Sequence, residues 1–74
     1  MMEAGLRKHK HMIKYYSDDS GCLFKIDNNK RVWFWDYIKW NFSLYHTHLI
    51  DKFYKEQTEI TKQQAKQLYP EAFK

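Results

Sequence analysis

Short aromatic and β-branched segments alternate with polar turn residues in the first half of the chain. Residues 13–17, 22–26 and 31–38 are rich in Ile, Val, Phe, Tyr and Trp, the residue types that are enriched in strands. Between them lie residues 18–21 and 27–30, where Asp, Asn, Ser and Gly favour turns through side-chain-to-backbone hydrogen bonds and positive φ angles. This pattern predicts a three-stranded antiparallel β-meander.

The second half of the chain changes to a helical period. Apolar side chains recur three or four residues apart between Phe42 and Phe53, which predicts a helix over residues 43–56. Apolar and polar side chains also alternate over residues 42–50, so a fourth strand there is the alternative.

Polar residues mark the starts of the helices. Asn41 or Ser43 can cap the helix over residues 43–56. Thr61 and Gln64 have the spacing of a capping box, and Pro70 ends the helix that follows. The elements together predict an α+β fold, in which the meander packs against one or two C-terminal helices.

The positive charge is concentrated near the N-terminus. The chain has 13 Lys and Arg and 9 Asp and Glu, and a formal net charge of +4. The first fourteen residues hold four of the cations and one acid, Glu3. Those four cations are Arg7, Lys8, Lys10 and Lys14. We expect residues 1–11 to form a basic flexible leader and residues 12–74 to form one compact domain, with Met12 as an alternative start.

Several classes of function have little support in the sequence. Cys22 has no partner for a disulfide, and its alternating neighbours predict a small core residue. No Gly-rich phosphate loop, nucleophile–base pair or metal-ligand spacing is present, so we expect no enzyme, no cofactor and no metal site. No apolar run approaches the roughly 20 residues of a membrane span, and we expect the protein in the bacterial host cytoplasm.

The predicted third strand carries the strongest functional signal. Its alternation places Trp33, Trp35 and Tyr37 on one face, with Arg31 and Lys39 at the rim. Trp, Tyr and Arg dominate protein-interface hot spots, so these five residues are the candidate partner-binding site. The same rings could stack on unpaired nucleic-acid bases, or they could all be core if both faces of the strand are covered.

The order of these segments resembles that of short accessory proteins from phages and mobile elements of Gram-positive bacteria. The resemblance extends over residues 12–70. It is carried by residues 13–16, residues 21–26, an isolated Trp40 and the run from Glu59 to Leu68. It implies an inhibitor of a host protein, such as an anti-CRISPR-like protein directed against a defence nuclease. It implies no active site.

These observations favour a small non-catalytic protein-binding module whose partner is a host protein. One alternative is a small basic nucleic-acid-binding protein that uses the aromatic strand face. A second alternative is a structural protein that buries this face in a homodimer.

Overall fold

The computed structural model describes residues 13–74, which form an α+β fold around a five-stranded antiparallel sheet. The strands are β1 (Lys14–Ser17), β2 (Leu23–Ile26), β3 (Val32–Trp35), β4 (Trp40–Ser43) and β5 (Thr58–Ile60). Their order in the sheet is β4-β3-β2-β1-β5, so β4 and β5 are the edge strands. The helices are α1 (Leu44–His48), α2 (Ile50–Glu56) and α3 (Lys62–Leu68), followed by a final 3₁₀ turn (Pro70–Phe73).

The sheet is larger than the predicted meander. β1, β2 and β3 are present, but the predicted strand over residues 31–38 ends at Trp35. Asp36 ends it, because its Oδ1 accepts hydrogen bonds from the amides of Ile38 at 2.9 Å and Lys39 at 2.8 Å. The chain therefore turns back and forms β4, in which Trp40 lies opposite Trp35.

The helices agree more closely with the predictions. The helix predicted over residues 43–56 is present as α1 and α2, separated at Leu49, and the alternative strand over residues 42–50 is wrong beyond the end of β4. The Ser43 hydroxyl caps α1 by accepting the His46 amide. The predicted capping box of α3 is confirmed, since Thr61 and Gln64 each accept the other's backbone N–H. None of the helices in residues 13–74 is long and apolar enough to cross a membrane.

Helices cover parts of both faces of the sheet. On one face, Tyr16, Phe24, Ile26 and Val32 are buried around Phe53 of α2. The rings of Tyr16 and Phe24 both contact the Phe53 ring edge to face, at 5.3 and 5.2 Å between centroids.

The second face is covered by the C-terminal segment. Tyr15 packs against Phe73 with ring centroids 5.3 Å apart, and the indole N–H of Trp40 donates to the Ala72 carbonyl at 3.3 Å. Leu23 and Ala65 are fully buried. The two helical layers leave Phe34 and Phe42 of the β3–β4 hairpin exposed.

The prediction for Cys22 is wrong. Its side chain is exposed, and its Sγ lies 3.6 Å from the Ser20 hydroxyl. The residue lies one position before β2 and belongs to the turn, where the Asp18 carboxylate accepts its amide at 3.0 Å. The buried residues of this strand begin instead at Leu23.

Candidate functional site: the β3–β4 hairpin

Two aromatic pairs lie side by side across the β3–β4 hairpin. Trp33 is opposite Phe42 and Trp35 is opposite Trp40 in the strand register. The ring centroids are 5.5 Å apart in the first pair and 5.6 Å in the second. Trp33 and Trp35 share one face of β3, as the alternation predicts, and both are half-buried. Part of the surface of each ring is therefore buried by packing within the hairpin.

A turn carboxylate fixes the orientation of Trp33. Its indole N–H donates to Asp27 Oδ2 at 3.0 Å, and Asp27 Oδ1 accepts the amides of Asn29 and Arg31. Burial raises the pKa of Asp27, but the hydrogen bonds from Arg31, Trp33 and Asn29 outweigh this effect and lower it. The indole thus has a defined position at the start of the hairpin.

Lys25 covers the second aromatic pair. Its ammonium lies 4.3 Å from the centroid of the Trp40 ring, within the range of a cation–π contact. Burial lowers the pKa of Lys25, and the charge of Asp27 partly opposes that shift. Lys25 and the final 3₁₀ turn therefore both contact Trp40.

Tyr37 is not in the strand row that the sequence predicts. It lies in the turn between β3 and β4 with a φ angle of 79°, and its ring is 72% exposed. The ring contacts Tyr69 edge to face at 5.4 Å, and the two hydroxyls are 3.4 Å apart. Tyr69 in turn donates to the Gly21 carbonyl at 2.6 Å. Tyr37 is thus tied to the C-terminal segment rather than to Trp33 and Trp35.

Ile38 is the functional candidate that the sequence analysis missed. At 82% exposure it is the most exposed large apolar side chain of the described residues. Strict alternation along residues 31–38 places Ile38 on the same face as Val32 and Phe34. Asp36 within the apolar run was the available signal, because Asp commonly bonds backbone amides two residues on and so begins a turn.

The two rim cations lie at opposite ends of the hairpin. Arg31 precedes β3, and with Trp33 and Phe42 it lines an open cavity of about 400 Å³. Lys39 precedes β4 beside the turn and is exposed. The structure therefore brings Arg31 to Trp33, but it separates both from Tyr37 and Lys39. Of the leader cations, Lys14 begins β1, whereas Arg7, Lys8 and Lys10 lie outside the described residues.

Groups suited to metal chemistry are not assembled in the described part of the chain. Among residues 13–74, no three His, Cys, Asp or Glu side chains are close enough together to hold a metal ion. His46 instead packs against Phe24 and Phe53, and its Nδ1 is 2.7 Å from the Ser43 hydroxyl.

Comparison with known proteins adds no assignment. No family model matches the chain, and neither the curated proteins nor the solved structures contain a match.

Proposed function

We propose that this protein is a non-catalytic protein-binding module that inserts the tip of the β3–β4 hairpin, Tyr37 and Ile38, into an apolar pocket of a partner. The observation that carries the proposal is the φ angle of 79° at Tyr37. A bulky residue at positive φ costs about 1–3 kcal/mol and persists only where the surroundings impose it. Since the ring is largely exposed, its packing against the fold offsets little of that free-energy cost. Such strain is characteristic of functional sites.

The tip is also held in one conformation. Asp36 Oδ1 accepts the amides of Ile38 and Lys39, and the Asp36 amide donates to the Lys39 carbonyl at 3.2 Å. The Tyr69 ring supports Tyr37 from the side. A loop that already has its bound conformation loses less entropy on binding, which favours affinity.

Trp35 and the rim residue Lys39 lie next to the tip and extend the proposed contact, whereas Arg31 and Trp33 lie towards the opposite end of the hairpin. The resemblance to phage accessory proteins supports an inhibitory role. The partner would be a host defence nuclease, as for an anti-CRISPR-like protein. Inhibition would be steric, because the tip occupies a pocket that the host protein needs. The protein would then act in the cytoplasm of the bacterial host.

Two substitutions at the tip test the proposal. Tyr37→Gly relieves the backbone strain but loses the contact of the ring with Tyr69, so we expect thermal stability to change little. Ile38→Ser removes an apolar side chain that has little contact with the fold. Each should weaken partner binding by about tenfold or more, as expected for an interface anchor. Leu44→Ser is the matched control, because Leu44 is an exposed apolar residue on α1, 56% exposed.

The measurement has two stages. The wild-type protein and the three variants are used as bait in a host lysate, and proteins retained by wild type and Leu44→Ser but not by the tip variants are identified by mass spectrometry. Isothermal titration with the purified candidate then gives the affinities. Equal retention by all four baits would overturn the proposal. Light scattering at two concentrations tests the homodimer alternative. If wild type is a dimer and the tip variants are monomers, the partner of the tip is a second copy of the chain and not a host protein.

A further inference from the structure

Four cationic residues lie at the same end of the sheet. Lys14 lies opposite Ile26, and Ile26 lies opposite Val32, so β1 begins where β2 ends and β3 begins. Tyr15 pairs with Ile60, which brings the end of β5 to the same end of the sheet. The cations at these strand ends are Lys14, Lys30, Arg31 and Lys62, and we call this group the cationic end.

Among the described residues, two carboxylates line the cavities at the cationic end, Asp27 and Glu59. Both oxygens of Asp27 accept hydrogen bonds, from two amides and from the Trp33 indole. Glu59, in β5, is the other carboxylate that lines the cavities there. The opposite end of the sheet carries Asp18, Asp19 and Asp36 in its turns, together with Lys39. Cations therefore outnumber carboxylates at one end of the strands, and carboxylates outnumber cations in the turns at the other end.

Three open cavities lie at the cationic end. One, of about 410 Å³, is lined in part by Lys14, Lys30, Tyr54 and the carboxylate residue Asp27. A second, of about 500 Å³, is lined in part by Lys14 and Lys62, and the third is the cavity beside Arg31. A small anion would be held best by cations that converge in one enclosed pocket. Cations distributed over several open cavities fit an extended polyanion.

Aromatic side chains accompany these cations. Trp33 and Phe42 line the cavity of Arg31, and Phe42 is 44% exposed. Rings beside cations bind single strands, since unpaired bases stack on the rings while cations contact the phosphates. Tyr54, which lines the first cavity and is 43% exposed, adds a hydroxyl that can donate to phosphate oxygens. Paired bases of a duplex could not stack in this way.

We infer that the cationic end binds single-stranded nucleic acid, with phosphates at Lys14, Lys30 and Arg31 and a base on Trp33 or Phe42. This site goes beyond the proposed function, because the Tyr37–Ile38 tip lies at the other end of the β3–β4 hairpin. The chain also enters β1 at the cationic end, so the basic residues 7–10 precede it closely in sequence.

A charge-matched comparison tests the site on the full chain. The triple variant Lys14→Gln, Lys30→Gln, Arg31→Gln removes three cations at the cationic end. Its control, Lys52→Gln, Lys55→Gln, Lys66→Gln, removes three exposed cations from α2 and α3. Fluorescence anisotropy measures the affinity for a labelled oligothymidylate over a series of salt concentrations. Single strands lose about 0.7 in the log–log salt slope per phosphate contact, so the first triple variant should reduce the slope by about 2 and the control should leave it nearly unchanged.

Three results would overturn the inference. They are no binding by the wild-type chain at low salt, equal losses in the two triple variants, and equally tight binding of polyglutamate, which would indicate an acidic protein ligand. Duplex binding as tight as single-strand binding would be a fourth such result, because paired bases cannot stack on the rings. Tyr37→Gly and Ile38→Ser should bind the oligonucleotide like wild type, so failure of this site and failure of the proposed function are distinguishable. Circular dichroism of each variant confirms that it is folded.

Discussion

The hydroxyl of Thr47 accepts a hydrogen bond from the backbone amide of Val32 at 2.9 Å. The same hydroxyl donates to the Ser43 carbonyl at 2.7 Å. Val32 and Ser43 are register partners across β3 and β4. A side chain of α1 therefore bridges two strands at the end of their ladder, and this contact docks the helix on the sheet beside the fully buried Val32.

Replacing Thr47 by Val should destabilise the fold although it preserves the shape of the side chain. The Val32 amide would lose its partner in a buried position, which costs about 1–3 kcal/mol. Urea unfolding measures the change, with Thr47→Ser as the control because it keeps the hydroxyl. A Thr47→Val variant with the wild-type midpoint would show that the bridge does not contribute to stability.

Acid should destabilise the protein through its turn aspartates. Hydrogen bonds hold the pKa of Asp27 below its usual value despite the opposing effect of burial, and the pKa of Asp18 is lowered by Ser20 and Cys22 against the same opposition. A lowered pKa in the folded state means that the unfolded chain binds the proton more readily. The stabilisation is therefore complete above the unfolded pKa, about 4, and is lost as the pH falls through the folded value.

Thermal melts between pH 6 and pH 2 check this dependence. Asp27→Asn should lower stability at neutral pH and flatten the decline towards acid. Because Asp27 is only half-buried, solvent screens the effect and the change should be modest. Parallel curves for Asp27→Asn and wild type would contradict the assignment.

Tyr69 should be among the last tyrosines to ionise. The hydrogen bond with Tyr37, together with burial and nearby negative charge, raises the pKa of Tyr69 to about 12. Since the folded state retains a proton that the unfolded chain releases near pH 10, this stabilisation is complete below about pH 10 and is lost towards pH 12. An ultraviolet absorbance titration should show a late component that Tyr69→Phe removes and that Tyr37→Phe shifts to lower pH. A late component that Tyr37→Phe leaves unchanged would show that the Tyr37 hydroxyl does not raise the pKa of Tyr69.

Local chemistry accounts for the parts of the fold that the sequence predicted well. Thr61 and Gln64 are three residues apart and satisfy each other's amides without help from the rest of the chain. The turns before β2 and β3 follow from Asp18 and Asp27, each of which bonds amides two and four residues on. Such signals act over a few residues, so they can be read from the sequence.

Only part of the candidate site could be predicted from such local signals. Alternation correctly placed Trp33 and Trp35 on one face, because both lie within a regular strand. It failed at Tyr37 and Ile38, since an aspartate turn interrupts the period there. The contact of Tyr37 with Tyr69 joins positions 32 residues apart, and no local pattern signals it.

The sequence by itself determined the turns before β2 and β3, the side-chain caps of α1 and α3 and the aromatic enrichment of β3, because these depend on neighbouring residues. Only the tertiary structure decided that β5 pairs with β1 and that β4 forms an open edge. It also decided that Lys14, Lys30, Arg31 and Lys62 lie at one end of the sheet. Strand pairing and charge separation depend on which distant segments become neighbours, and that choice is made by packing the aromatic core around Phe53.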